Sequence, residues 1–467
     1  MATVLCQLCK AFINIMTAFT KPNRALTLIG GAAELCAWGA LAFFIVARRN
    51  FSPIPLIGII AALIVIRLVL NIWSHGRFNI RAILDRPLAI FFPAPLRAPL
   101  ALWAILLAVS FYLTFQYDLA VPRLWMFIMG FATLVAIYNA ASLFEHLTWG
   151  IWGITLIWLL LATAIASGGA LTASWVFLKI SILQRLYPGY EVKFVQLAND
   201  QTTNVNILAG VVSPIVMIPL GMAIGLFTAP STSTLDKWLR RLLIGVFGLI
   251  FLFLAGLLLL TQSFGAYGAL AVGVVAFAAL RFHKIGWVLA VGVGLAVIAL
   301  LLYLPTLMSL SAEQLDVLLR KRYFIWLRAI LMIGSMPFSG IGLGMFPYAS
   351  RLMYANMITS ITDQPPHAHN IFFELGLDFG LIGIVCFVWL QVVLWRMGLH
   401  AIRSAPNSAY AWALRGLLAG QAMWLMFNLT DLAYLGTRAS FIYWGAWALI
   451  LAFSKKKPLP IADSAGS

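Results

Sequence analysis

Charge is scarce in this chain, and acidic charge is scarcest. Only 10% of its 467 residues are charged, 14 Asp and Glu against 31 Lys and Arg, while 63% are hydrophobic. A soluble domain is about a quarter charged, so a soluble class is excluded. Four cysteines (Cys6, Cys9, Cys36 and Cys386) build no disulfide framework, and the Cys6/Cys9 pair lacks the second pair that a zinc ribbon needs. Alternating apolar and polar strands are missing, which excludes a β-barrel. The excess of 17 positive charges lacks the basic, aromatic-interleaved stripe of a nucleic-acid module. No small-residue cleavage signature follows the first apolar stretch, so no removable signal peptide is expected. No internal repeat suggests the paired halves of a transporter.

What the chain has instead is a succession of apolar runs of bilayer-spanning length, about 20 residues each. They predict spans over 25–47, 55–73, 98–116, 122–143, 149–168, 206–228, 242–261, 264–280, 285–304, 371–395, 411–430 and 439–453. Basic residues crowd the loops on one side: the N-terminal tail, residues 74–97, the DKWLRR and RFHK connections, residues 396–415 and the KKK tail. The positive-inside rule then places both termini in the cytoplasm. The long segments 169–205 and 305–370 fall on the opposite, periplasmic face. That divides the chain into 1–205, an N-terminal bundle; 206–304, central spans; 305–370, a periplasmic loop region; and 371–467, C-terminal spans with a cytoplasmic tail.

The outer face is unusually basic for that rule. Segment 305–370 holds Arg320, Lys321, Arg322, Arg328 and Arg351 against only Glu313, Asp316 and Asp363. A guanidinium offers a planar fork of donors matched to phosphate oxygens, and lipid-linked diphosphates are ligands available at that face. Headgroup anchoring and internal pairing remain the alternatives. Arg322 and Trp326, four apart, share a helix face, and Arg328 falls on another. Next comes PFSGIGLGMF, whose Gly340, Gly342 and Gly344 alternate between Pro337 and Pro347. Such glycines let backbone approach a ligand closely, or simply turn the chain. They lack the strand and helix context of a nucleotide fingerprint.

The stretch QPPHAHNIFFELGLDFG, residues 364–380, concentrates titratable chemistry. His367 and His369 are too few for a zinc site, which needs three or four ligands. A neutral imidazole can serve as general base toward a sugar hydroxyl. Asn370 is a good N-cap, and Glu374 in the first turn either favours the helix terminus or orients a histidine.

Together these stretches resemble the C-terminal signature of the O-antigen ligase/polymerase superfamily. That signature has an arginine four before a tryptophan, a P-x-x-G-x-G-x-G-x-F turn, and an H-x-H-N opening a membrane helix with E-x-G-x-x-G. Upstream, residues 202–221 resemble the family's N-x-x-A segment and residues 260–273 its T-x-S-R-G segment, with Phe264 where the family often has arginine. The resemblance implies an all-α polytopic membrane protein of about twelve transmembrane helices, GT-C-like, with its catalytic region periplasmic. It implies a bacterial inner-membrane glycosyltransferase that uses neither metal nor other cofactor. The donor would be an undecaprenyl-diphosphate-linked oligosaccharide. The acceptor would be another glycan in a polymerase or lipid A core in a ligase, with a chain-length regulator as a further partner.

Carried over residue by residue, His369 would be the base and Arg322 a diphosphate ligand, with His367 and Asn370 beside them. Trp326, Glu374, Gly342 and Gly344 would support them. Arg185, Lys193 or Arg328 could replace the arginine missing at Phe264, a departure that tilts the reading toward polymerase. The rival class, a flippase of lipid-linked sugars, predicts charges deep in the spans, where only Glu34 and Arg67 stand out.

Overall fold

The computed structural model describes residues 94–143, 150–172, 205–228, 234–282, 312–353 and 366–455, apart from a few single positions within them. The expected spans 25–47, 55–73 and 285–304, with Glu34, Arg67, Arg185 and Lys193, lie outside the described residues. Within them the chain is helical throughout, with no strand. The helices are α1 (Arg97–Tyr112), α2 (Tyr117–Leu143), α3 (Gly150–Thr172), α4 (Val205–Val212), α5 (Met217–Thr228), α6 (Thr234–Leu260), α7 (Phe264–Ala279), α8 (Ala312–Ser335), α9 (Phe346–Met353), α10 (Ile371–Ser404), α11 (Ala409–Thr430) and α12 (Ser440–Ser454). By length and composition, five stretches suffice to cross a membrane: Tyr117–Ala141, Gly150–Ala170, Asn206–Thr228, Lys237–Leu260 and Ile371–Ser404. α1, α7 and α12 are shorter apolar helices.

Several boundaries differ from the sequence reading, each for a local reason. The 206–228 run is broken into α4 and α5 at Ser213 and Pro214, because proline supplies no N–H to the helical ladder. α10 continues to Ser404, so Arg396 and Arg403 sit on its last turns and not in a loop. α6 likewise takes in Lys237, Arg240 and Arg241, expected to lie in a connection. Arg415 lies inside α11, buried, where its Nε donates to the Leu280 carbonyl at 3.2 Å.

Long apolar helices gain little from the hydrophobic effect in lipid, so close approach of small residues holds them together. Gly221 on α5 meets Gly416 on α11, and one turn further along each helix Gly225 and Gly420 lie close against the Ala409 and Pro214 carbonyls. A Cβ added at Gly221 would stand 2.6 Å from the Trp412 carbonyl oxygen and 2.8 Å from Gly416 Cα. α12 packs on α2 and α10, and a cluster of buried tryptophans (Trp424, Trp444, Trp447) fills the space between them. This core fixes the ends of α10 and α11, which bear the candidate site.

Candidate functional site

The site begins where α10 begins. Asn370 is extended, and its side chain accepts from the amides of Phe372 (2.9 Å) and Phe373 (3.4 Å). Its amide group donates to the Leu429 carbonyl at 3.0 Å. One side chain thus satisfies the start of α10 and ties it to the end of α11. The structure therefore gives Asn370 a capping role, and its expected substrate contact is not what holds it in place.

Glu374 and Asp378, one turn apart and fully buried, face α2. Arg123 Nη1 lies 2.7 Å from Glu374 Oε1 and 3.4 Å from Asp378 Oδ2, answering carboxylates that would otherwise be costly to bury. Glu374 Oε2 accepts the amide of Ala368, between the two histidines, at 2.8 Å. Asp378 Oδ1 accepts the amide of Gly344 at 2.9 Å. Glu374 therefore orients the histidine loop through its backbone, and not by touching an imidazole.

The alternating glycines turn the chain against these same helices. Gly340, Gly342 and Gly344 all have positive φ, and Gly380 (φ 70°) interrupts α10 opposite them. The amide of Ile341 donates to the Leu377 carbonyl, and that of Leu381 to the Pro337 carbonyl, both at 2.7 Å. A Cβ on Gly380 would come within 2.6 Å of the Phe338 oxygen. The positive φ of these glycines serves this close approach of backbone.

His369 carries the unusual geometry. It is the non-glycine residue with positive φ (53°) among the described residues, a conformation that costs about 1–3 kcal/mol outside glycine. Its Nδ1 lies 2.9 Å from Asp431 Oδ1, and its backbone amide donates to His367 Nδ1 at 3.3 Å. The two imidazole rings stand edge to face with centroids 4.1 Å apart.

Asp431 caps the C-terminal end of α11. Its Oδ1 also accepts the amide of Leu432 at 2.8 Å, and its Oδ2 lies 3.7 Å from Arg322 Nη2. The turn that carries it is fixed by Asn428 and Trp424, which bond the amide and carbonyl of Ala433. Burial alone would raise the Asp431 carboxyl. The hydrogen bond and charge of His369, the Arg322 guanidinium and the Leu432 amide more than offset it and hold the group below its usual value. Burial also lowers Arg322, with Asp431 opposing. His367 is pushed down to about 3, first by burial, then by the neighbouring charges of His369, Arg123 and Arg322, against the pull of Asp431.

An ionised carboxylate only accepts, so Nδ1 of His369 must bear a proton, and in the neutral imidazole Nε2 then holds the lone pair. That is the tautomer a general base needs. α8 supplies the other half of the site. Among the described residues, Arg322 Nη1 is buried with no hydrogen-bond partner, and so is the indole Nε1 of Trp326 one turn later, whose ring leans on Phe373 at 5.9 Å. Two donors on one helix face thus lack acceptors, which is what an anionic ligand would supply. Arg328, by contrast, is buried and donates to Ser350 Oγ at 2.9 Å and to the Phe324 carbonyl at 3.2 Å, tying α8 to α9. Phe264 opens α7, part exposed.

His367 and His369, too few by themselves for a metal site, gain a further potential ligand here. Asp431 adds a third group, and ligand atoms of His367, His369 and Asp431 lie within 4.8 Å of one another. In the arrangement present, both imidazoles spend Nδ1 on hydrogen bonds and a guanidinium faces the carboxylate. That favours a proton relay over a cation cage.

Sequence reasoning missed Asp431, Arg123 and Asp378. The available signal was scarcity: with 14 acids in 467 residues, a carboxylate that ends an apolar helix or recurs one turn after Glu374 is conspicuous.

No curated protein matches the chain. Residues 249–388 match the O-antigen ligase family, a stretch that includes Arg322, Trp326, His367, His369, Asn370 and Glu374 and leaves Arg123 and Asp431 outside. The match to the O-antigen ligase family thus covers the histidine loop and the arginine on α8, in a chain whose described residues include five stretches long and apolar enough to cross a membrane.

Proposed function

We propose that the protein is a membrane glycosyltransferase that works without a metal. It takes a glycan from an undecaprenyl-diphosphate-linked donor and passes it to an acceptor sugar hydroxyl on the periplasmic face, polymerising O-antigen or related repeat units. The observation that carries the reading is the relay His369–Asp431–Arg322, set beside two donors on α8 that have no acceptor.

His369 Nε2 removes the acceptor proton as the hydroxyl oxygen bonds to the anomeric carbon. The bond from that carbon to the phosphate oxygen breaks, and undecaprenyl diphosphate leaves with the electron pair. A positioned base contributes about a hundred- to ten-thousand-fold in rate, and Asp431 stabilises the imidazolium that it becomes. Arg322 Nη1 and the Trp326 indole meet the charge that develops on the diphosphate, where fixed donors act most strongly. Arg328, spent on Ser350, leaves the diphosphate to Arg322, and Arg185 stays a candidate ligand.

The acceptor separates polymerase from ligase. Purified protein is given undecaprenyl-diphosphate-linked repeat units alone, then with lipid A core. Lengthened glycans in the first reaction support polymerisation, and product only after core is added makes the protein a ligase. His369→Ala is expected to abolish transfer while membrane insertion stays intact. Near-wild-type product from that variant overturns the reading.

A further inference from the structure

The two imidazoles are not equivalent, and the hydrogen bonds that surround them fix how they differ. His369 Nδ1 faces an ionised carboxylate and so carries its proton there. His367 Nδ1 faces a backbone N–H, the amide of His369, and so must present its lone pair there. A neutral imidazole has one proton, so that of His367 sits on Nε2. Neither Nε2 makes a hydrogen bond to the protein among the described residues, and both rings are half-buried, not sealed.

We propose that His367 and His369 are held in opposite tautomers, and that His367 is a second substrate-contacting residue, a neutral donor through Nε2–H beside the basic Nε2 of His369. With ring centroids 4.1 Å apart, the pair sets one acceptor and one donor side by side, so that both can reach oxygens of a single sugar residue. His369 takes the proton of the attacking hydroxyl, and His367 donates to the adjacent oxygen of the same acceptor residue. A site built to hydrogen-bond a substrate oxygen rejects analogues that lack it, so His367 selects acceptors with an oxygen next to the nucleophile. The low proton affinity of His367 agrees with this role, since it stays neutral while its neighbour cycles. A second cation at this distance would oppose formation of the His369 imidazolium.

The substrate role rests on the glycosyl-transfer reading, but the tautomers do not, and two measurements separate them. The full chain, labelled with 15N-histidine, is reconstituted in lipid nanodiscs, and two-bond 1H–15N correlations are recorded at pH 7.5. His367→Gln and His369→Gln assign the signals. The expected result is an Nε2–H pattern for His367 and an Nδ1–H pattern for His369. An Nδ1–H or doubly protonated His367 overturns the proposal even if transfer is never observed. In the kinetic arm, His367→Gln keeps an N–H donor and is expected to stay within ~10-fold of wild-type kcat/KM, whereas His367→Leu falls ~100-fold. Equal loss in both variants overturns the donor role. His367→Leu variants that do not fold leave the tautomer measurement on the wild-type chain as the deciding result.

Discussion

Asp431→Asn is the most informative single change, because it keeps the shape of the site and removes one charge. The carboxylate accepts from His369 Nδ1–H at 2.9 Å and from the Leu432 amide at 2.8 Å, and it faces Arg322 at 3.7 Å. An asparagine oxygen in the Oδ1 position can still accept from both Leu432 and His369 Nδ1–H, but its NH2 then replaces Oδ2 and faces the Arg322 guanidinium. A neutral amide oxygen is a weaker acceptor than a carboxylate, so Nδ1–H is held less firmly and Nε2 is less basic. The imidazolium formed during transfer also loses its counter-charge. A weakened base that has lost its counter-charge forfeits general-base catalysis, roughly 10²- to 10⁴-fold in kcat. That is about 3 to 5 kcal/mol of transition-state stabilisation. Donor KM changes less, since Arg322 Nη1 and the Trp326 indole are untouched. Radiolabelled lipid-linked repeat units in proteoliposomes, with single-turnover rates against donor concentration, measure both quantities. A kcat within threefold of wild type would refute the relay, and a change confined to KM would reassign Asp431 to donor binding.

The same carboxylate sets an acid limit on stability. Its folded pKa lies below the unfolded value, so its contribution is fully present above the ordinary carboxylate range. It is withdrawn as pH falls through the lower folded value; thermal unfolding in detergent should show an acid destabilisation that Asp431→Asn lacks. Arg322→Ala removes the guanidinium with the free Nη1 and should weaken apparent donor affinity ~10-fold or more, measured as donor KM; an unchanged value counts against a diphosphate role. Gly380→Ala forces a Cβ into the Phe338 carbonyl at φ 70° and should lower the melting temperature measurably, whereas Gly245→Ala, where nothing stands within 4 Å, should not. Prolonged chelation with EDTA should leave transfer unchanged; a loss restored by one divalent ion would make His367, His369 and Asp431 a metal site.

Much of the helical order was legible because span length and apolarity are local properties of the chain. The runs at 122–143, 149–168 and 371–395 coincide with α2, α3 and the first two-thirds of α10 within a few residues. Basic residues at run ends misled, because a helix can leave the apolar layer and stay a helix. Arg396 and Arg403 therefore lie on α10, and Arg415 points into the bundle to meet a helix-end carbonyl.

The site divides in the same way. His367, His369, Asn370 and Glu374 sit within eight residues of chain, so their association was visible as spacing. The alternating glycines were visible too, but not their use. Only the packing of α10 against the turn shows that φ and close backbone approach serve docking there.

What the sequence alone determined is the class of molecule and the presence of a histidine pair at a helix mouth, because hydropathy, capping and short-range spacing are written locally. What the tertiary structure decided is which partners those histidines have. Asp431 stands 62 residues from His369, and Arg123 stands 251 from Glu374. Nothing in the chemistry of either residue names its mate. The glycine-to-glycine contact of α5 and α11 and the buried ion pair on α2 bring them together, and a proton is placed by that packing, not by the order of residues.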